Sequence, residues 1–204
     1  MFLAVREYGS ITTLPFYTPL DSNNMEIVST MGSGSIGREL DLETFVSEVD
    51  KYIETPIDAN FSSDSMVTIR LEEDGEAYTI FRTGSFQIRG AKNKDRLRET
   101  ATHFREVLSK IGVEIPNYEF RHVTTVFMED LGHEVNLEVL AIALGMEETE
   151  YEPEQFPGLI YRPSEYEVTL LVFATGKIII GGTTDRDEAI YAVQSIEDEL
   201  ELIG

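Results

Sequence analysis

The chain contains itself twice, and this repeat constrains its fold more than any other feature. FRTGSFQIRGAKNKD, from Phe81, and FATGKIIIGGTTDRD, from Phe173, share Phe, Thr-Gly, Ile, Gly and Asp at one offset of 92 residues. Ile69-Arg70 and Tyr161-Arg162 keep that offset. Further upstream RELDLETF, from Arg38, resembles HEVNLEVL, from His133, at an offset of 95. The first copy thus carries three extra residues between its early helix and Arg70. Self-similarity at a fixed period marks one structural unit used repeatedly. The expected organisation is an N-terminal extension (1–23), a first repeat (24–115) and a second repeat (116–204).

Each copy reads alike. A strand opens it, MEIVSTM (25–31) or FRHVTTVFM (120–128). A helix follows over 40–53 or 136–145, with Leu42, Phe45, Val46 and Val49 at helical spacing. Asp41 and Asn136 are suited to N-capping. Strands come next: SMVTIRL, EAYTIF and SFQIRG in copy one, and GLIYR, YEVTLLVF and KIIIGG in copy two. Thr83-Gly84 and Thr175-Gly176 supply hairpin turns between the last two. A long helix, 93–111 or 185–201, closes each copy. The order per copy is strand, helix, four strands, helix. Consecutive antiparallel strands with helices gathered on one face define an α+β pattern. The other sheet face is left for solvent or a ligand.

Charge narrows the function classes. Among 204 residues, 16 basic side chains face 38 acidic ones, a net of −22, and only five of the basic residues are Lys. This fits adaptation to high salt, where strong charge maintains solubility, or an ordinary acidic protein. It argues against nonspecific nucleic-acid affinity, which rests on Lys and Arg. At about 1 M salt, however, the Debye length falls to about 3 Å, so distant acidic groups hardly repel DNA and local contacts decide. There is no cysteine, which excludes disulfides and thiolate sites. No apolar run approaches a membrane span, and MFLAVREYGSITTLPF is a poor signal peptide. The expectation is a soluble, cytoplasmic protein.

Catalytic signals are weak. GSGSIG (32–37) matches G-x-G-x-x-G and lies between a strand and a helix, with Asp50, Glu54 and Asp58 beyond it. The following strands are hairpins rather than βαβ units, and the second repeat has EDLGHEV there. A flexible strand–helix loop is the simpler reading. His103, His122 and His133 lack metal-ligand spacing, and no nucleophile or zinc motif occurs. The chain is expected to be no enzyme and to need no cofactor or metal.

One short stretch points elsewhere. YEPEQFPGLIYR (151–162) places Phe156 directly before a Pro-Gly turn, where loops are surface-exposed. With the duplicated unit, NLEVLAIALG and VTLLVFATGKIII, this resembles the TATA-box-binding protein family, particularly its archaeal form. The resemblance spans about 24–204. EIVST, ELDLE, FRTG and RGAK carry it in the first repeat. It implies a saddle, with a ten-stranded antiparallel sheet whose concave face grips a widened minor groove and helices on the convex face. It implies a transcription initiation factor for A·T-rich double-stranded DNA that recruits transcription factor B.

The resemblance also implies residue roles. Phe156 and Phe173 match one pair of wedges that kink the duplex. Phe81 matches one member of the other pair; core packing on a strand is the competing reading for Phe81 and Phe173. Asp64 stands at the remaining wedge position, and Phe61, three residues earlier, is the candidate substitute. Val28, Thr124 and Val126 fall on the opening strands, where the family carries an Asn that bonds bases. Those Asn positions are read here as Glu26 and Thr124. A carboxylate there would face a groove that shows only acceptors for A·T pairs. Arg89 and Gly181 replace a family Thr in each final strand; Arg89 could enter a narrow groove or pair with Glu26. Arg70, Lys92, Arg162 and Lys177 remain as basic contacts. Glu152 and Glu154 match the loop that docks transcription factor B, or are simply a solvated acidic loop. With Glu26, Asp64 and Glu167 on the nominal DNA side, the alternative is a paralogue that binds proteins without engaging DNA normally.

Overall fold

In the computed structural model the described residues are 25–54 and 56–203; the N-terminal extension expected over 1–23 lies outside them. The first half runs β1 (Glu26–Ser35), α1 (Leu42–Tyr52), β2 (Asp58–Ser63), β3 (Met66–Arg70), β4 (Ala77–Phe81), β5 (Ser85–Ala91) and α2 (Lys94–Lys110). The second runs β6 (Glu119–Asp130), α3 (Leu137–Leu144), β7 (Thr149–Glu150), β8 (Gly158–Tyr161), β9 (Thr169–Phe173), β10 (Lys177–Gly181) and α4 (Arg186–Ile203). The strands form one antiparallel sheet in the order β2-β3-β4-β5-β1-β6-β10-β9-β8-β7. The opening strands β1 and β6 meet at its centre. The sheet is the expected saddle, curved and covered on its convex face by the four helices.

Local chemistry explains most boundaries. The Asp41 carboxylate accepts the Thr44 N–H at 2.8 Å, and Asn136 accepts from Glu138 and Val139, so both predicted caps form. Gly84 and Gly176 close their hairpins at φ of 85° and 88°, a region that disfavours side chains. A Cβ on either would also overlap a backbone carbonyl oxygen, that of Arg38 or of His133. The edge strands β2 and β7 were not individually legible, because DANFSS does not alternate and Thr149-Glu150 is too short.

Two apolar cores lie between sheet and helices. One joins Phe45, Val49, Leu97, Phe104 and Leu108 to the inward residues of β3–β5; the other joins Leu140, Ala192, Val193 and Ile196 to those of β8–β10. The first explains GSGSIG. Those residues are not a flexible loop: 32–35 continue β1. Phe120 lies over Gly32 and Phe86 over Gly34, where a Cβ would strike each ring. Phe86 stacks with Phe120 at 5.9 Å and packs on Phe104 at 5.0 Å. The glycines make room for an aromatic core rather than for a phosphate, and α1 begins at an acidic cap unfit for anions.

Candidate nucleic-acid interface

Directly opposed residues of an antiparallel pair share a face, so the register locates the bare side of the sheet. Two rows of six residues cross it. The first is Asn60, Thr68, Thr79, Gln87, Ser33 and Arg121, on β2, β3, β4, β5, β1 and β6. The second is Glu150, Ile160, Leu171, Ile179, Met128 and Glu26, on β7, β8, β9, β10, β6 and β1. Met128, Ile160, Leu171 and Ile179 belong to neither core. They are apolar residues that no helix among the described residues covers.

The pairing Ser33↔Gln87 corresponds to Met128↔Ile179, and Gly32↔Ile88 to Phe127↔Ile180. The offset of 95 therefore extends through β1 and β6. Thr124 answers to Ser29, not to Glu26, and Val126 answers to Met31. The assignment of Glu26 to the base-reading position is corrected on this ground. Val28 and Val123 are the unpaired residues where the β1–β6 register shifts, both exposed. Val28 and Val123 are themselves 95 residues apart, so both copies bulge at the same place and counting back from the helix keeps the register; the Glu26 reading rests instead on the local match of EIVST to the family. Glu26 instead lies opposite Met128, and its counterpart is Arg121.

The aromatic positions divide. Phe156 and Phe173 meet edge to face, with ring centroids 5.9 Å apart. Gly158 pairs with Phe173 in register, and its missing side chain lets the Phe156 ring settle beside it; a Cβ there would sit 2.8 Å from Phe156 Cε1. The Glu152 carbonyl accepts the Phe156 N–H at 3.0 Å, which shapes the loop that presents the ring. Both rings are partly exposed. In the first half Phe81 faces Met66, the residue equivalent to Gly158, while Asp64 sits in the tight β2–β3 turn. Phe61 pairs with the fully buried Val67 and so lies on the helix side of the edge strand, 44% exposed. The register does not bring it to Phe81 as a substitute wedge.

The polar candidates are placed as follows. Arg89 lies opposite Met31 and donates to Thr79 Oγ1 at 3.0 Å, not to Glu26. Thr79 also bonds Thr68 at 3.1 Å. Thr124 Oγ1 accepts the Gly182 N–H at 3.2 Å and donates to the Thr183 carbonyl. Arg70 donates to the Gly75 carbonyl, and Arg162 reaches Glu150 at 3.3 Å. Lys177 is exposed opposite Asp130, and Lys92 is exposed just beyond β5. His122 lies opposite Gly32, in line with the buried Ile88, and so on the helix side of the sheet; burial pushes its imidazole below its ordinary value. Hydrogen bonding by Ser164 holds the Glu148 carboxyl below its usual range. Glu152 and Glu154 are exposed on the loop before Phe156, and the Glu152 carboxylate accepts from Gln155. Glu167 precedes β9 rather than lying within it. The sequence reading missed Gln87, Ser33, Met31 and Arg121, which share a face only through long-range register. Among the described residues no His or acidic cluster could hold a metal, and no helix is long and apolar enough to cross a membrane.

Comparison with known proteins agrees with this geometry. The family described as "Transcription factor TFIID (or TATA-binding protein, TBP)" matches residues 24–111 and 119–203. TATA-box-binding protein C of Halobacterium salinarum is 37% identical over 179 residues, covering 87% of this chain and 97% of that one. TATA-box-binding protein 2 of Haloferax volcanii is 36% identical over 189 residues, covering 91% and 97%. The solved structure of Methanococcus jannaschii TBP matches with a TM-score of 0.68 at 34% identity, covering 88% of this chain and 99% of that one. With its saddle and its match over both repeats, the chain belongs to the TATA-binding protein family, as a paralogue of haloarchaeal type.

Proposed function

We propose that this protein is a cytoplasmic transcription initiation factor that lays its bare sheet face in the minor groove of A·T-rich promoter DNA and recruits transcription factor B. The family is one of DNA-binding transcription factors and not of enzymes. The observation that carries the finer reading is the Phe156–Phe173 pair, two rings held together and partly exposed at one end of a sheet face that no described helix covers. Apolar wedges of this kind unstack base steps and bend the duplex. Val126, Met31, Ile179 and Leu171 then meet the opened groove, with Ser29 and Thr124 near its centre and Val28 at the bulge. Arg70, Arg89, Lys92, Arg162 and Lys177 contact the backbone. Phe81 packs against the duplex at the opposite end, without a partner ring. Glu152 and Glu154 present the docking loop for transcription factor B.

A net charge of −22 opposes this contact in dilute buffer. At molar salt the screening length of about 3 Å removes the long-range part of that repulsion. Groove shape and deformability then supply much of the selectivity. A gel shift with an A·T-rich duplex in molar potassium salt, with and without transcription factor B, tests the reading. A ternary complex is expected, and its absence under both conditions overturns it. The second reading, a protein-binding paralogue that leaves DNA alone, is favoured by Asp64 at the first-half wedge position. It requires capture of transcription factor B without any duplex.

A further inference from the structure

The two rows that cross the bare face differ in what they can offer a base pair. In the minor groove every pair shows acceptors, and only G·C adds a donor, the guanine 2-amino group. Between its acidic ends the second row is Ile160, Leu171, Ile179 and Met128. None has a strong acceptor, so a guanine amino group pressed there is left unpaired, which is costly. Glu26 is an acceptor, but it ends that row one strand beyond Met128.

The first row has Gln87 where the second has Ile179, and Ser33 where the second has Met128. Thr79 is occupied by Thr68 and Arg89. By contrast, the Gln87 amide and the Ser33 hydroxyl make no hydrogen bond among the described residues, although both are half-buried on the sheet floor. Gln87 Oε1 can accept from a guanine amino group while Nε2 donates to a neighbouring N3 or O2.

We infer that the protein reads an asymmetric element, in which the half under the second repeat must be A·T and the half under the first repeat carries a G·C pair read by Gln87 and Ser33. This rests on the minor-groove reading above. It makes Gln87 and Ser33 specificity-determining residues, and it fixes the orientation of the saddle on DNA, since only one end tolerates the amino group.

Duplexes selected from a random pool in molar potassium chloride test it. The expected consensus has G·C confined to one half. Replacing that guanine with inosine, which lacks the 2-amino group, should weaken binding by the unmodified protein roughly tenfold, in the range of a lost base contact. The variant Gln87→Ile with Ser33→Met should bind guanine and inosine sites equally and select A·T in both halves. The reciprocal Ile179→Gln with Met128→Ser should admit G·C in the other half. Thermal melts establish that both variants fold. A consensus that is A·T throughout, or indifference of the unmodified protein to inosine, overturns this inference alone. A pool that retains no duplex overturns it together with the function it rests on.

Discussion

Gly84 and Gly176 close the same turn over equivalent carbonyls, and the strands beside them keep the same register; yet the floor of the first half is polar where that of the second is aliphatic. The wedges differ too. Phe156 rests beside Gly158 and Phe173, while Asp64 stands in a tight turn and Met66 fills the place of the glycine. What the halves share is backbone geometry, where a substitution meets a carbonyl oxygen. What they do not share is the exposed face, where a side chain meets only solvent or ligand. A duplicated framework can therefore carry two different surfaces.

The largest effect should test the shared framework. Gly84→Ala and Gly176→Ala each force a Cβ onto a carbonyl at positive φ and should cost about 3–5 kcal/mol in denaturant unfolding. Tolerance of one but not the other would break the equivalence of the two hairpins. The wedge contrast comes next. Phe156→Ala should lower duplex affinity by about 2–3 kcal/mol and reduce bending seen by energy transfer between end labels. Asp64→Ala, its first-half counterpart, should leave both nearly unchanged. Equal effects would mean that the two ends act alike.

The aromatic core of the first half gives a third contrast. Gly34→Ala places a Cβ against Phe86 and the Glu119 carbonyl and should cost about 2 kcal/mol. Removing the side chain at the equivalent Glu129 should change stability by less than about 0.5 kcal/mol. Urea melts of the two variants decide. Nucleotides should leave the melting temperature of the unmodified protein unchanged, because GSGSIG serves packing.

The smallest effect concerns charge. Glu76, whose side chain is 10% exposed, takes two hydrogen bonds from Arg96 at 2.6 and 3.0 Å; the second half has Val168 at that position. Burial alone raises the Glu76 carboxyl, but the Arg96 hydrogen bonds, its own backbone N–H and the Arg96 charge together hold it below its ordinary value. A depressed carboxylate stabilises the fold above its unfolded pKa and loses that contribution as pH falls through the folded one. Arg96→Met should therefore cost about 1–2 kcal/mol at neutral pH, discounted because Arg96 is half-exposed. The difference should close as pH drops below 4.5. A pH-independent gap would show that the pair acts through packing alone.

Much of this was legible in the residues. Alternating and helical periodicities located the four helices and most strands, and Asp41, Asn136, Gly84 and Gly176 marked caps and turns that form as expected. The presentation of Phe156 followed from its Pro-Gly turn. Glu26 and Phe61 were misread for different reasons. EIVST matches the family locally, whereas the repeat offset of 95 makes Ser29 the equivalent of Thr124; Phe61 pairs with Val67, and register by a single residue decides which face a strand side chain takes. Nothing local distinguishes Val28 as the extra residue, or makes DANFSS turn Phe61 toward Val67.

By itself the sequence determined the duplication, the order of elements and their ends, because periodicity and turn chemistry act between near neighbours. Only the tertiary structure decided that Thr79, Gln87, Ser33 and Arg121 form one row and Leu171, Ile179, Met128 and Glu26 another. Those residues are distant along the chain, and their alignment depends on bulges and cross-strand pairing, which are settled when the two halves meet at β1 and β6.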